Sequence, residues 1–316
     1  MNKQIPIFYA CDDAFVKYTI VSLTSIKANA SLDRKYHVYV LYTDISDEMK
    51  QKLLALGDEN FEISFENVSE QLNLISKSLP LRHYYSKTTY YRLFIATMFP
   101  ELDKAIYIDS DTIVLGDISK LYDIELGDKL VGACHEQAME QIDVYGTYVE
   151  EVIGISRNEF FNAGILLLNT KAIREFGVLD KFIYYLGVYD FIVTQDEDYL
   201  NLVCKDRVLW LDQKWNTELI EFFKYDYDIT EANILHYIMV NKPWHYHNCR
   251  GADIFWKYAK MTSVYDMLVS ELDSYTDKEE RVRDAESADN LCQMAIDETA
   301  RKDSFYKVWK DKLPLV

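Results

Sequence analysis

The chain has 316 residues, enough to bury a sizeable core, and about half of them are apolar. Five prolines and ten glycines exclude collagen-like and disorder-type compositions. A formal charge of −18 works against phosphodiester backbones, because nucleic-acid affinity is built mainly on Lys and Arg contacts, so no nucleic-acid partner is expected.

The residues from Met1 to Asp13 hold only a short apolar run, unlike a secretory signal, and no window reaches the ~20 apolar residues of a spanning helix. Cys11, Cys134, Cys204, Cys249 and Cys292 are dispersed in a pattern that suits neither a disulfide scaffold nor a zinc knuckle. Reduced thiols and a cytoplasmic location are the expectation.

Ile5–Ala10 reads as a buried strand, followed by helical spacing over Val16–Ala28 and a second strand at Tyr36–Tyr42. A helix opens at Ser46, where Ser-Asp-Glu-Met supplies an N-cap and an acidic first turn. Phe61–Val68 alternates like a half-exposed strand, and Thr88–Met98 reads as one helix closed by Pro100. Ala105–Ile108 is an apolar strand that runs into Asp109, and Leu130–Cys134 and Gly164–Leu168 are similar runs. Lys171–Leu186 and Glu197–Cys204 read as helices. This alternation predicts an α/β fold with a mostly parallel central sheet flanked by helices, whose ligands bind outside the carboxyl ends of the strands.

From about Met261 the pattern turns helical, as in Ser263–Leu272 and Ala288–Ala300. We therefore divide the chain into an α/β domain, 1–260, and a helical C-terminal appendage, 261–316. The closing Phe305-Tyr-Lys-Val-Trp-Lys mixes aromatics with lysines, which suits either peripheral contact with a membrane or docking on the protein's own core.

Four places carry candidate chemistry. Asp109-Ser110-Asp111 presents two carboxylates at a strand end, hard ligands for Mn²⁺ or Mg²⁺, although solvated turns carry the same pattern. An apolar strand delivers His236, a suitable third ligand, and Lys242 follows beside Pro243-Trp244, where it can neutralise a departing diphosphate. Asn162-Ala163-Gly164 combines an amide able to bond sugar hydroxyls with small residues that admit a ligand near the backbone. Asp196-Glu197-Asp198 opens a helix, where carboxylates are stabilised by the dipole with or without a function. Most of the 25 tyrosines follow core periodicity; Tyr84, Tyr85 and Tyr90 are the exceptions to watch as ligand-stacking candidates.

In order and spacing, Ala10-Cys-Asp12-Asp13, Thr88-Thr-Tyr-Tyr-Arg92, Asp109-Ser-Asp111, Asn162-Ala-Gly164, Gln195-Asp196-Glu-Asp198 and His236…Lys242-Pro-Trp resemble the retaining family 8 glycosyltransferases, over about Ile5 to Ala259. That group includes bacterial lipooligosaccharide galactosyltransferases and glycogenin. The resemblance implies a GT-A (Rossmann-like) fold, a UDP-glucose or UDP-galactose donor, Mn²⁺ and transfer with retention to a saccharide or glycoconjugate acceptor. It makes Asp109, Asp111 and His236 the metal ligands. Ala10, Asp12, Phe15, Arg92, Ser110, Asn162, Ala163, Gly164 and Lys242 become donor-binding residues. Asp196, Glu197, Asp198 and Lys242 become catalytic. The chain departs from the family pattern at Ala14-Phe15, at Met239 in place of glycine, and at Glu197 in place of glutamine. The extra carboxylate then serves either as a nucleophile or only as a helix cap, so retention proceeds either by same-face attack or through a covalent intermediate on Glu197 or Asp198. A UDP-sugar hydrolase and a non-catalytic UDP-sugar-binding protein are the alternative readings.

Overall fold

The computed structural model describes residues 4–75, 87–220, 228–275 and 278–310. Tyr84 and Tyr85 lie outside the described residues. Ten strands are described: β1 (Ile5–Ala10), β2 (Tyr36–Tyr42), β3 (Phe61–Asn67), β4 (Ala105–Ile108), β5 (Thr112–Val114), β6 (Val131–Ala133), β7 (Ile165–Leu168), β8 (Val208–Trp210), β9 (Thr217–Glu218) and β10 (Ile234–His236).

The main sheet runs β3-β2-β1-β4-β7-β6-β8. The pairs β3–β2, β2–β1, β1–β4 and β6–β8 are parallel, and only β7 runs against its neighbours. Continuous burial along β1, β4 and β7 explains why these strands read as unbroken apolar runs. Because β7 is reversed, its start lies at the carboxyl end of β4, with Ile165 opposite Ile108. Asn162–Gly164 and Asp109 therefore meet at one edge of the sheet. That edge also carries the ends of β6 and β8.

A second sheet, β5-β10-β9, is the device that completes the site. Thr112 pairs with His236 in antiparallel register, and the Tyr237 N–H donates to the Asp111 carbonyl at 2.9 Å. Asp111 and His236, 125 positions apart in sequence terms but neighbours in the ladder, are thereby held side by side. β5 and β9 are too short to show a period, so the sequence shows the β10 strand but not the sheet it joins.

Two expected helices are divided. Thr88–Met98 is a 3₁₀ segment, Lys87–Phe94, running into a short α-helix, Ile95–Met98. Lys171–Leu186 breaks into Thr170–Phe176 and Val178–Leu186 at Gly177, whose left-handed φ of 70° closes the first helix. Ser46 caps the Asp47–Leu54 helix as expected, accepting from the Met49 N–H.

The C-terminal segment forms helices Tyr265–Ser274, Lys278–Ala300 and Phe305–Trp309. They pack on both faces of the main sheet. Val264 and Leu268 join the core around Trp244 and Phe255, while Ala295 and Phe305 join the core on the other face. Phe305 is fully buried against Tyr185, Tyr189 and Phe191, so the terminal helix docks on the protein itself.

Candidate active site

Asp109, Asp111 and His236 converge, with one ligand atom from each lying within 4.8 Å of the others. Two carboxylates and an imidazole are a donor set that fits Mn²⁺ or Mg²⁺, and the spacing leaves only small rotamer adjustments to reach a common ion. Gly164 sits against this group. A Cβ there would lie 2.8 Å from Asp109 Oδ2 and closer still to His236 Cε1, so only glycine fits beside the triad.

Each ligand is fixed from behind. Tyr107 donates to Asp109 Oδ1 at 2.6 Å, and Arg92 stands 3.6 Å from the same oxygen. Lys242 donates to Asp111 Oδ2 at 2.6 Å, and His236 Nε2 lies 3.3 Å from Asp111 Oδ1. Burial opposes ionisation of Asp111, but Lys242 and His236 outweigh it and hold the carboxyl well below its ordinary range.

A hydrogen-bond relay sets the His236 tautomer. The Gly164 N–H donates to Asn162 Oδ1 at 2.8 Å, and Asn162 Nδ2 donates to Glu136. Asn216 Nδ2 also donates to Asn162 Oδ1, at 2.8 Å, which turns Asn216 Oδ1 toward His236 Nδ1 at 3.0 Å. Nδ1 therefore donates to Asn216, which leaves Nε2 turned toward the triad as the atom that would bind a metal.

Arg92 is the second hub. Its guanidinium is 3.1 Å from Asp196 Oδ2, donates to the Thr89 and Ala163 carbonyls and covers the Tyr107 ring at 4.6 Å. Burial raises the Asp196 carboxyl to about 6 against the opposing pull of Arg92. Glu197 accepts from the Ala163 N–H at 2.7 Å; burial, then the neighbouring Glu136, push its carboxyl well above the usual range. Glu218 is raised in the same way by burial and Glu136.

Not every expected residue reaches the triad. Asp198 points into the core, accepting from Thr194 N, Thr194 Oγ1 and the Tyr148 hydroxyl. Ser110 is buried and its hydroxyl pairs with Thr19. Tyr90 is also buried, edge-on to Phe182. Ala10 ends β1 at the carboxyl edge, and Asp12 accepts from the Phe15 N–H at 3.0 Å. Phe15 is 41 % exposed, an open aromatic face at the mouth of this edge. Met239 adopts φ 59°, the glycine conformation without the glycine.

Glu136, Asn216 and Glu218 carry no signal of their own in the sequence, and Tyr107 stands there only as part of the strand that leads to Asp109. Glu136 follows β6, and the rule that ligands gather after strands would have found it.

A GT-A-like fold that gathers two carboxylates, an imidazole and a lysine at the carboxyl edge of its sheet points to the glycosyltransferases. The model of glycosyl transferase family 8 matches residues 6–248, and the chain belongs to that family. It is similar to the lipopolysaccharide 1,2-glucosyltransferase of Escherichia coli K12, 26% identical over 77% of this chain and 74% of the relative. It is also similar to the lipopolysaccharide 1,3-galactosyltransferase of Salmonella typhimurium, 26% identical over 82% and 78%. Among solved structures, the galactosyltransferase LgtC with donor and acceptor sugar analogs superposes with a TM-score of 0.68 at 26% identity, covering 82% of this chain and 96% of that one. The enzyme is a hexosyltransferase of this family.

Proposed function

We propose that the enzyme moves glucose or galactose from UDP, with retention at the anomeric carbon, to a hydroxyl of a cell-surface glycan such as the lipopolysaccharide for which its relatives are named. The observation that carries this reading is the Asp109–Asp111–His236 triad closed by Gly164 and faced by Lys242. These three residues would hold Mn²⁺, or Mg²⁺, which when bound supplies Lewis-acid stabilisation of the diphosphate.

Lys242, held 2.6 Å from Asp111 Oδ2, would share the charge that develops on the departing UDP, an electrostatic contribution of the kind that is usually the largest in catalysis. Arg92, braced by Asp196 and the Ala163 carbonyl, presents its charge toward the hexose. Asn162 and Gly164 shape the floor beneath it. Phe15 offers its face to the uracil.

Retention by a covalent adduct needs an ionised carboxylate aimed at the sugar. Asp198 is turned into the core, and Glu197 is held by a backbone N–H in surroundings that favour its neutral form. This supports attack of the acceptor hydroxyl on the face that UDP leaves. No described helix is long and apolar enough to cross a membrane, which supports action in the cytoplasm, free or held peripherally at the inner face.

The test is UDP release from UDP-glucose and UDP-galactose, with and without Mn²⁺, in the presence of a lipopolysaccharide-derived acceptor. Acceptor-stimulated, Mn²⁺-dependent release from one donor is expected. Release that ignores the acceptor would favour a hydrolase, and metal-dependent binding without release a non-catalytic protein.

A further inference from the structure

The loop that carries Lys242 is not held by the sheet alone. Trp244, two residues on, is buried and stacks on Tyr18 with ring centroids 3.9 Å apart. The Tyr18 hydroxyl donates to Glu271 Oε1 at 2.6 Å, and Glu271 lies in the C-terminal helix Tyr265–Ser274. The same carboxylate pairs with Lys17 at 2.8 Å and faces His245 Nε2 at 3.6 Å. Tyr275, at the end of that helix, stacks flat on His245 at 3.6 Å. Asp284, on the next helix, accepts from both Tyr246 and Tyr275 at 2.7 Å.

Residues 244–246 are thus gripped one after another by the C-terminal helices, and Glu271 is the node that ties them to the Val16–Asn29 helix. The Lys242 main chain is knotted into the same stretch, because its carbonyl accepts from both His245 N and Tyr246 N. Met239, on the other side of Lys242, holds a left-handed backbone that a side chain disfavours, so this loop has reason to relax when released.

We propose that Glu271 is a positioning residue for the transfer reaction: through Tyr18, Trp244 and His245 it fixes the loop that aims the Lys242 ammonium at the diphosphate. The C-terminal helices are then part of the catalytic apparatus. This role rests on the transferase reading for its consequence, but its geometry can be tested without it.

Glu271→Ala is expected to lower kcat about tenfold, as misplacement of a catalytic group does, with the donor KM changed less than about threefold. Glu271→Gln keeps an acceptor for the Tyr18 hydroxyl and should recover part of the loss. In a Lys242→Met background the Glu271→Ala change should cost almost nothing more, because Glu271 acts through Lys242. Amide exchange over 237–246 should quicken in Glu271→Ala while β1 and β4 keep their protection. Multiplicative losses in the double variant, or unaltered exchange in the loop, would overturn the proposal. A wild-type protein without turnover whose loop still loosens would count against the transferase reading and for the clamp.

Discussion

Gly164→Ala is the smallest change that should disable the site. The added methyl would sit 2.8 Å from Asp109 Oδ2 and 3.0 Å from Asn162 Oδ1, with His236 Cε1 nearer than either. Ordinary carbon contacts need ~3.5 Å or more, so the His236 ring and the Asp109 carboxylate must each retreat by roughly 0.5–1 Å. Overpacking of this kind costs about 1–3 kcal/mol of stability, and a chain this long should lose only a few degrees in Tm. Metal sites tolerate deviations of only ~0.2 Å in ligand distance, so the larger effect falls on the ion. We expect Mn²⁺ affinity to fall by about 10–100-fold and kcat at saturating Mn²⁺ by about 100-fold. The assay is UDP release across a Mn²⁺ titration, paired with thermal melts. A folded Gly164→Ala enzyme with an unshifted Mn²⁺ activation curve would refute the assignment of the triad.

Asn216→Ala removes the acceptor that fixes the His236 tautomer and should weaken Mn²⁺ binding by about 10–100-fold; calorimetry with Mn²⁺ alone checks it, and an unchanged affinity rules the relay out. At position 239 the left-handed backbone should make glycine more stabilising than alanine by about 1 kcal/mol, the reverse of the order in ordinary helices. Urea unfolding of the two variants reads that difference. Burial lifts the Asp198 carboxyl to about 7, so between the ordinary carboxylate range and that value the folded state binds the extra proton. Stability therefore falls as pH rises through this window, and Asp198→Asn should flatten the slope by up to ~1.4 kcal/mol per pH unit. Identical slopes in denaturation curves from pH 4.5 to 7.5 would show that the core hydrogen bonds keep Asp198 ionised.

The main sheet was legible because its central strands are buried on both faces and leave unbroken apolar runs, as at Ile5–Ala10 and Ala105–Ile108. The break at Gly177 was hidden because apolar spacing continues across it from Ile173 to Phe182, and periodicity does not register a reversed φ. Arg92 was legible as part of a motif, but the 3₁₀ winding that aims it was not, since Thr-Thr-Tyr-Tyr carries no clear preference. Asp109, Asp111 and His236 could be picked out as ligand types after strands. What unites Asp111 with His236 is a ladder of three-residue strands, and pairing between such short segments is set by tertiary packing alone. Glu136, Asn216 and Glu218 are single buried polar residues, each meaningful only through its partners.

The charges at the site bear on what the proposed cation would do there. Asp109, Asp111 and Asp196 are paired with Arg92 and Lys242, with Glu136 and Glu218 buried behind them and Glu197 half-buried beside them. Burial relieves part of the repulsion by favouring the neutral carboxyls of Glu197 and Glu218. Asp111 stays ionised and is already joined to Lys242. A diphosphate entering here meets carboxylates at contact distance, each costing about 4 kcal/mol at 4 Å in surroundings of intermediate polarity. The Lys242 ammonium donates to Asp111 Oδ2 and to the Tyr237 carbonyl, which leaves one N–H for a diphosphate, so the charge it offers is already shared with Asp111. A divalent cation on Asp109, Asp111 and His236 would offset the carboxylates that a diphosphate meets; donor and metal would then strengthen each other's binding by the same factor, and that reciprocity is measurable from either side.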